Sequence, residues 1–291
     1  MSELLPLFVD KTILPTGKYH VSYSEVSTCS GPDGCGFRHK LKYIDGHAGS
    51  DTEHTTYGKT MHTALQEWLL ENQSVWFDWD KRIEQCQEEV RKIFESINFS
   101  PSEKEMEKDW IAPVKGILSQ IPGWMDETFP EWEPIAAEIQ LFEPIEGHVN
   151  KWFKGFIDAV IKVPRPQRKG SRKPATGSIY WILDWKVTSW GWDSHKKQDK
   201  FKRMQLALYK HYLSKKLDIP LDDIKCGFVI LKRTNRKEQY CELLEVSVGD
   251  KTRLEAVEVV SKTVSMIARK WWMKNRNACK WCEFANTPLC P

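Results

Sequence analysis

Two short segments constrain this chain more than any other part of it. GFIDAVIKV (155–163) and IYWILDWKV (179–187) are apolar and rich in β-branched residues, yet each carries one aspartate in its interior. Runs of this length and composition predict strands. The Pro-, Gly- and cation-rich stretch at 163–178 predicts the long loop that joins them. An ionised carboxylate in or near a core costs several kcal/mol unless it is partnered, so Asp158 and Asp184 call for a cation. Asp184 and Lys186 are two residues apart and project from the same face of a strand, while Trp185 turns the other way into the packing.

Elsewhere the apolar spacing is helical. Met61, Leu65, Trp68 and Leu69 mark a helix over 56–72, and 79–97, 201–217 and 253–275 read as further helices, with a strand at 224–233. Strands interleaved with helices imply an α/β fold with a mixed central sheet. The chain divides into a helical part (1–130), a core (131–250) and a C-terminal helix with a cysteine cluster (251–291), integrated as one domain. With 41% hydrophobic and 29% charged residues the composition is that of a globular protein, and a net charge of +3 does not by itself imply nucleic acid. The lack of an 18-residue apolar run or a basic–apolar leader makes the cytoplasm the expected compartment and argues against a membrane. Gly58-Lys59-Thr60 ends like a phosphate-binding loop, but Glu53 stands where its first glycine would be, which argues against an ATPase motor.

Phosphodiester hydrolysis needs a hard cation, carboxylates to hold it, and a group that handles the attacking water. Asp158 and Asp184 suit the first task and Lys186 the second, and the Trp185 carbonyl lies between them as a further oxygen donor. An isolated D-x-K is common without any function, so the surrounding motifs matter. GFIDAVI, ILDWKVTS and QLALYKHYL resemble the successive core motifs of the PD-(D/E)xK nuclease superfamily, most closely its RecB-like and AddB-like branch. The resemblance implies a restriction-endonuclease-like core and Mg2+ or Mn2+ as cofactor. It also implies a metal-binding role for His62 in YGKTMHTALQEWL, and an orienting role toward substrate or Lys186 for Gln205 and Tyr209. Glu138, in AAEIQLFEP, resembles a glutamate often found before the first motif strand.

Of eight cysteines, Cys279, Cys282 and Cys290 form C-x2-C-x7-C, a strong metal signal that lacks a fourth ligand; Cys29 and Cys35 are the early candidates. One early and three late cysteines around such a core resemble the iron–sulfur nucleases, AddB and the small CRISPR-associated exonucleases. That likeness implies a [4Fe–4S] cluster clasping the N- and C-terminal segments, held by Cys35, Cys279, Cys282 and Cys290, because an aromatic and a basic residue follow Cys35. Zinc is the alternative metal.

Arg165, Arg168, Lys169, Arg172 and Lys173 crowd the loop before Asp184, and Lys196 and Lys197 lie in a second basic run after Lys186. Both runs predict contacts to a DNA backbone, and Trp190 and Trp192 are candidate platforms for bases. Single-stranded DNA or a DNA end, exonuclease action in recombination, repair or phage DNA processing, and a helicase or recombination partner follow from the resemblance alone. The competing reading is a non-catalytic nucleic-acid-binding or assembly protein that retains the fold. Nothing in the sequence fixes the oligomeric state.

Overall fold

The computed structural model describes residues 13–47, 49, 52–71, 77–167, 176–234 and 239–291. The chain groups into two units. The larger comprises Ser50–Ile139 and Phe156–Val248; the smaller comprises Met1–Gly49, Gln140–Gly155 and Gly249–Pro291. Strands β2 (Glu133–Pro144) and β3 (Trp152–Pro164) run through both.

The architecture is α/β with a mixed six-stranded sheet. β1 (His20–Ser22) lies parallel to the start of β3, and β4 (Ser178–Thr188) is antiparallel to β3. β4 is also parallel to β5 (Ile224–Lys232), which pairs antiparallel with β6 (Cys241–Val246); β2 pairs with β3 as well. The strands expected at 155–163, 179–187 and 224–233 are present. β2 and β6 were not foreseen, because polar and charged residues break the apolar pattern in EPIAAEIQLFEP and CELLEV.

In the larger unit one face of the sheet meets three helices. α3 (Glu53–Glu71) buries Tyr57, Met61, Ala64, Leu65, Trp68 and Leu69, and α4 (Trp79–Ser96) buries Ile83, Cys86, Val90 and Phe94. α5 (Glu103–Glu105) leads through a π-helical turn, Met106–Ile111, into α6 (Ala112–Thr128). These helices share a core with Ile179, Trp181, Leu183 and Trp185 of β4. Truncating a side chain as buried as Phe94 to Ala would cost about 3–5 kcal/mol. Because strand side chains alternate, committing Leu183 and Trp185 to this core turns Asp184 and Lys186 to the opposite face. After α7 (Ser194–Gln198), helix α8 (Lys200–Leu217) packs on β4 and β5.

In the smaller unit α1 (Tyr23–Ser30) starts with a capping box of Ser22 and Glu25, and the Cys35 thiol caps α2 (Gly36–Tyr43) by accepting the Arg38 N–H. The helix expected over 253–275 is corrected: α9 spans Asp250–Ala268. Lys270 takes a left-handed φ of 57°, its N–H donates to the Ile267 carbonyl at 3.0 Å, and the Trp271 N–H donates to that of Met266 at 3.0 Å. This crossed pair is a Schellman stop built on lysine, so the usual glycine signal is missing from the sequence. The chain then passes the start of α2, where the Phe37 N–H donates to the Met273 carbonyl at 3.2 Å. A Cβ on Gly36 would stand 2.9 Å from the Trp271 carbonyl oxygen, so this close approach requires glycine. No helix among the described residues is long and apolar enough to cross a membrane.

Candidate active site

The β3–β4 ladder runs from Pro164 opposite Ser178 to Ala159 opposite Leu183. One further step of that register would set Asp158 against Asp184, and there the ladder stops. The Trp185 N–H donates instead to Oδ2 of Asp158 at 2.8 Å. Where the ladder ends, two carboxylates and a free stretch of backbone edge are thus brought together. α3 supplies His62, whose Nδ1 lies 3.5 Å from Oδ2 of Asp158 and whose ring hydrogen-bonds with the Trp185 backbone. β2 supplies Glu138, which has a left-handed φ of 49° in mid-strand. A backbone in that region re-aims the side chain at a local cost.

One ligand atom each from His62, Glu138 and Asp158 falls within 4.8 Å of the others, the one such group of three or more among the described residues. Asp184 is outside that group. It is almost fully buried, and Oδ2 forms an ion pair with Lys186 Nζ. Burial, reinforced by the Asp184 carboxylate, holds Asp158 well above the usual carboxylate range. Burial and the same carboxylate also raise Glu138. Burial would lower Lys186, but Asp184 and Asp158 outweigh it and the ammonium is favoured. Burial, then Lys186, lowers His62, which keeps the imidazole neutral and able to donate a lone pair.

A model of the PD-(D/E)XK nuclease superfamily matches residues 20–291. The chain belongs to that superfamily. It is therefore a nuclease by family, and the candidate site is the place where two acid-bearing strands part. A candidate exonuclease from Eubacterium rectale has the same fold: its TM-score is 0.57 at 12% identity, over 92% of this chain and 87% of that one. No curated protein matches in sequence.

The nuclease places its other sequence-named residues as follows. Gln205 donates to the Tyr209 hydroxyl at 3.0 Å, so these two are joined to each other on α8. Arg165 pairs with Asp223, and Lys197 pairs with Glu242 at 2.7 Å. Lys196 lies 5.4 Å from the centroid of Trp192. Arg168, Lys169, Arg172 and Lys173 lie outside the described residues. Trp190 is 67% exposed, whereas Trp192 is buried with its ring 4.9 Å from Phe228, a packing position and not an open platform. In the smaller unit Cys35, Cys279, Cys282 and Cys290 line one pocket with Phe37, Leu41 and Phe284; Cys29 is buried and is not among the lining residues.

Sequence reasoning gave Glu138 less weight than the structure does. The signal was an acid in the mostly apolar run IAAEIQLF, obscured because the backbone turn that aims it has no marker such as glycine. Arg233 was missed altogether. It stacks 3.7 Å from the centroid of Trp110 and donates to the Asp109 carbonyl at 2.9 Å and to the Ser189 hydroxyl at 2.7 Å. It thereby braces the loop that leaves the β4 strand end.

Proposed function

We propose that the chain is a divalent-metal-dependent deoxyribonuclease of the RecB-like and AddB-like branch, acting on single-stranded DNA or DNA ends. The observation that carries this reading is the convergence of His62, Glu138 and Asp158 within 4.8 Å, beside the Asp184–Lys186 pair. The donor set, carboxylate oxygens and one neutral imidazole, fits Mg2+ or Mn2+. Burial, then the neighbouring carboxylate, raises Asp158 and Glu138, and a bound cation would offset both. His62, Glu138 and Asp158 would hold the ion, with Asp184 and the Trp185 carbonyl at its side. When bound, such a cation polarises a phosphoryl oxygen and acidifies water.

The chain's own groups do the rest. The Asp184 carboxylate pairs with the Lys186 ammonium on the face of β4 opposite Leu183 and Trp185. With Asp184 and Asp158 favouring its ammonium, Lys186 orients the attacking water and balances charge developing on the phosphoryl group. The Trp185 N–H, donating to Oδ2, orients the Asp158 carboxylate. Gln205 and Tyr209 act from α8 on substrate orientation, and Lys196, Lys197 and the 163–178 loop on the phosphate backbone.

Cys35, Cys279, Cys282 and Cys290 would hold an iron–sulfur cluster that ties together the first and last segments of the smaller unit. Their thiols share a pocket, yet among the described residues no three approach within 4.8 Å. Exonuclease action and a place in recombination, repair or phage DNA processing, with a helicase or recombination partner, complete the proposal; the likeness to the Eubacterium rectale protein supports the first of these.

The test is cleavage of end-labelled single- and double-stranded DNA with Mg2+ or Mn2+ by the wild type and Lys186→Ala, with circular DNA as a parallel substrate. Metal-dependent loss of label from linear DNA only, abolished in the variant, is expected. Undiminished cleavage by Lys186→Ala would overturn the site.

A further inference from the structure

Between Glu258 and Glu283 the chain has no acidic residue and six cations: Lys262, Arg269, Lys270, Lys274, Arg276 and Lys280. With 43 basic and 40 acidic residues overall, this is a strong local segregation of charge. The stop at Lys270 matters because it takes the last five of these cations out of the helix. They fall on a strap, Arg269–Lys280, an irregular stretch that runs into a 3-10 turn (Arg276–Trp281), and all five are exposed. Trp271 is 50% exposed and Met273 66%.

The strap is held in one conformation by the smaller unit. Its backbone lies against Gly36 and bonds to Phe37, the Asn275 N–H donates to the Cys35 thiol at 3.4 Å, and the Asn275 side chain donates to the Gly34 carbonyl at 2.9 Å. Two cations rest on aromatic rings: Arg269 lies 5.1 Å from the Trp271 centroid, and Lys274 lies 4.6 Å from that of Phe37. The cations are thus displayed on a fixed frame, so little ordering would be needed on binding. Cations alternating with an exposed indole form the pattern that binds unpaired nucleic acid, charge meeting phosphate and ring meeting base. An anionic membrane also attracts lysine and tryptophan, but it favours an amphipathic helix with a broad apolar face, and this strap is a short irregular stretch and a 3-10 turn with two exposed apolar side chains.

We propose that the strap Arg269–Lys280 is a binding surface for single-stranded DNA, separate from the carboxylate site, with Trp271 stacking on a base. The proposal rests on the reading that DNA is the substrate. The full chain is titrated in EDTA with fluorescein-labelled dT20 across a salt series, read by fluorescence anisotropy. For Arg269→Gln/Lys270→Gln/Lys274→Gln, affinity should fall roughly a hundredfold at 0.1 M salt, and the slope of log K on log salt should become shallower by about 2. Trp271→Ala should lose about tenfold on dT20 and little on duplex of the same length.

Photo-crosslinking of the wild type to an oligonucleotide carrying 5-iodouracil gives a readout without variants, and an adduct at Trp271 is expected. Unchanged slope and affinity in the triple variant, or adducts confined to other peptides, would overturn the strap. If the wild type still cleaves DNA with Mg2+ in that case, the nuclease reading survives alone. A wild type that neither cleaves DNA nor binds dT20 defeats the DNA reading first, and the strap with it. Capture on phosphatidylserine vesicles that the triple variant loses, with dT20 binding unaltered, would assign the strap to a membrane and also overturn the proposal.

Discussion

The carboxylate site and the cysteine pocket gather their groups in opposite ways. In the larger unit His62 sits within a 19-residue helix, and Glu138, Asp158 and Asp184 sit within strands. Their mutual placement follows from ladder register and from side-chain alternation. In the smaller unit Cys35 caps a short helix, Cys279 lies in a 3-10 turn (Arg276–Trp281), Cys282 follows it, and Cys290 lies in a single bridge with Thr287. Little regular structure fixes these thiols to one another. The first site is organised by the fold. The second helps organise it, if the proposed cluster is present. The two should therefore respond in opposite ways when a ligand is removed.

The largest expected effect is at the site organised by the fold. Asp184→Asn or Lys186→Ala should lower the cleavage rate by at least about a hundredfold, by analogy with the loss of one preorganised group at a reacting centre. The melting temperature should stay within a few degrees of wild type. A parallel loss of stability, or cleavage within tenfold of wild type, would show that the pair is structural. At the other site the ranking reverses: Cys282→Ser should remove iron and acid-labile sulfide and lower the melting temperature by roughly 10 °C, about 3–5 kcal/mol. The remaining folded protein should cleave a short oligonucleotide at close to the wild-type rate. A colourless, zinc-loaded wild type would instead remove the cluster from the comparison.

A middle-sized effect concerns the strain held by the metal-free site. Asp158 keeps a proton more readily in the folded than in the unfolded state, because burial and Asp184 raise its pKa above the ordinary 3.8. A raised folded value stabilises most below the unfolded value, and that stability is lost as pH climbs through the folded one. Metal-free protein should therefore lose stability as pH rises from 3.8, and the rise in melting temperature on adding Mg2+ should grow over the same interval. Asp158→Asn should melt higher than the metal-free wild type at neutral pH while failing to cleave, a common relation between stability and function at such sites. Differential scanning fluorimetry with and without EDTA measures both, and a Mg2+ effect independent of pH would contradict this account.

How much of this was legible in the sequence follows from the same contrast. The acid-bearing strands β3 and β4, the His62 helix and α8 announced themselves through apolar period, because each has a face committed to a core. The mixed sheet and the superfamily followed from them. The part of β2 that aims Glu138, which the resemblance had named, and the end of α9 were hard to read for one shared reason: each depends on a left-handed residue that is not glycine, Glu138 itself in β2 and Lys270 after α9. Local propensity points away from such conformations, and tertiary contacts settle them. Reading the helix to 275 also hid the strap, since Arg269–Lys274 then lay inside a regular element.

The smallest effect expected here turns that misreading into a measurement. Lys270 holds a left-handed backbone at a cost that glycine avoids, about 1 kcal/mol. Lys270→Gly should therefore raise the melting temperature by roughly 2–4 °C, provided the Schellman stop is the true end of the helix. The same substitution removes one cation from the strap and should weaken dT20 binding a few-fold, with a slope shallower by about 0.7. Stability and binding would then move in opposite directions from one side chain. If α9 instead continued past Ala268 in solution, glycine at 270 would sit inside a helix and lower the melting temperature by a similar amount. The sign of the change decides whether the strap exists as a separate element.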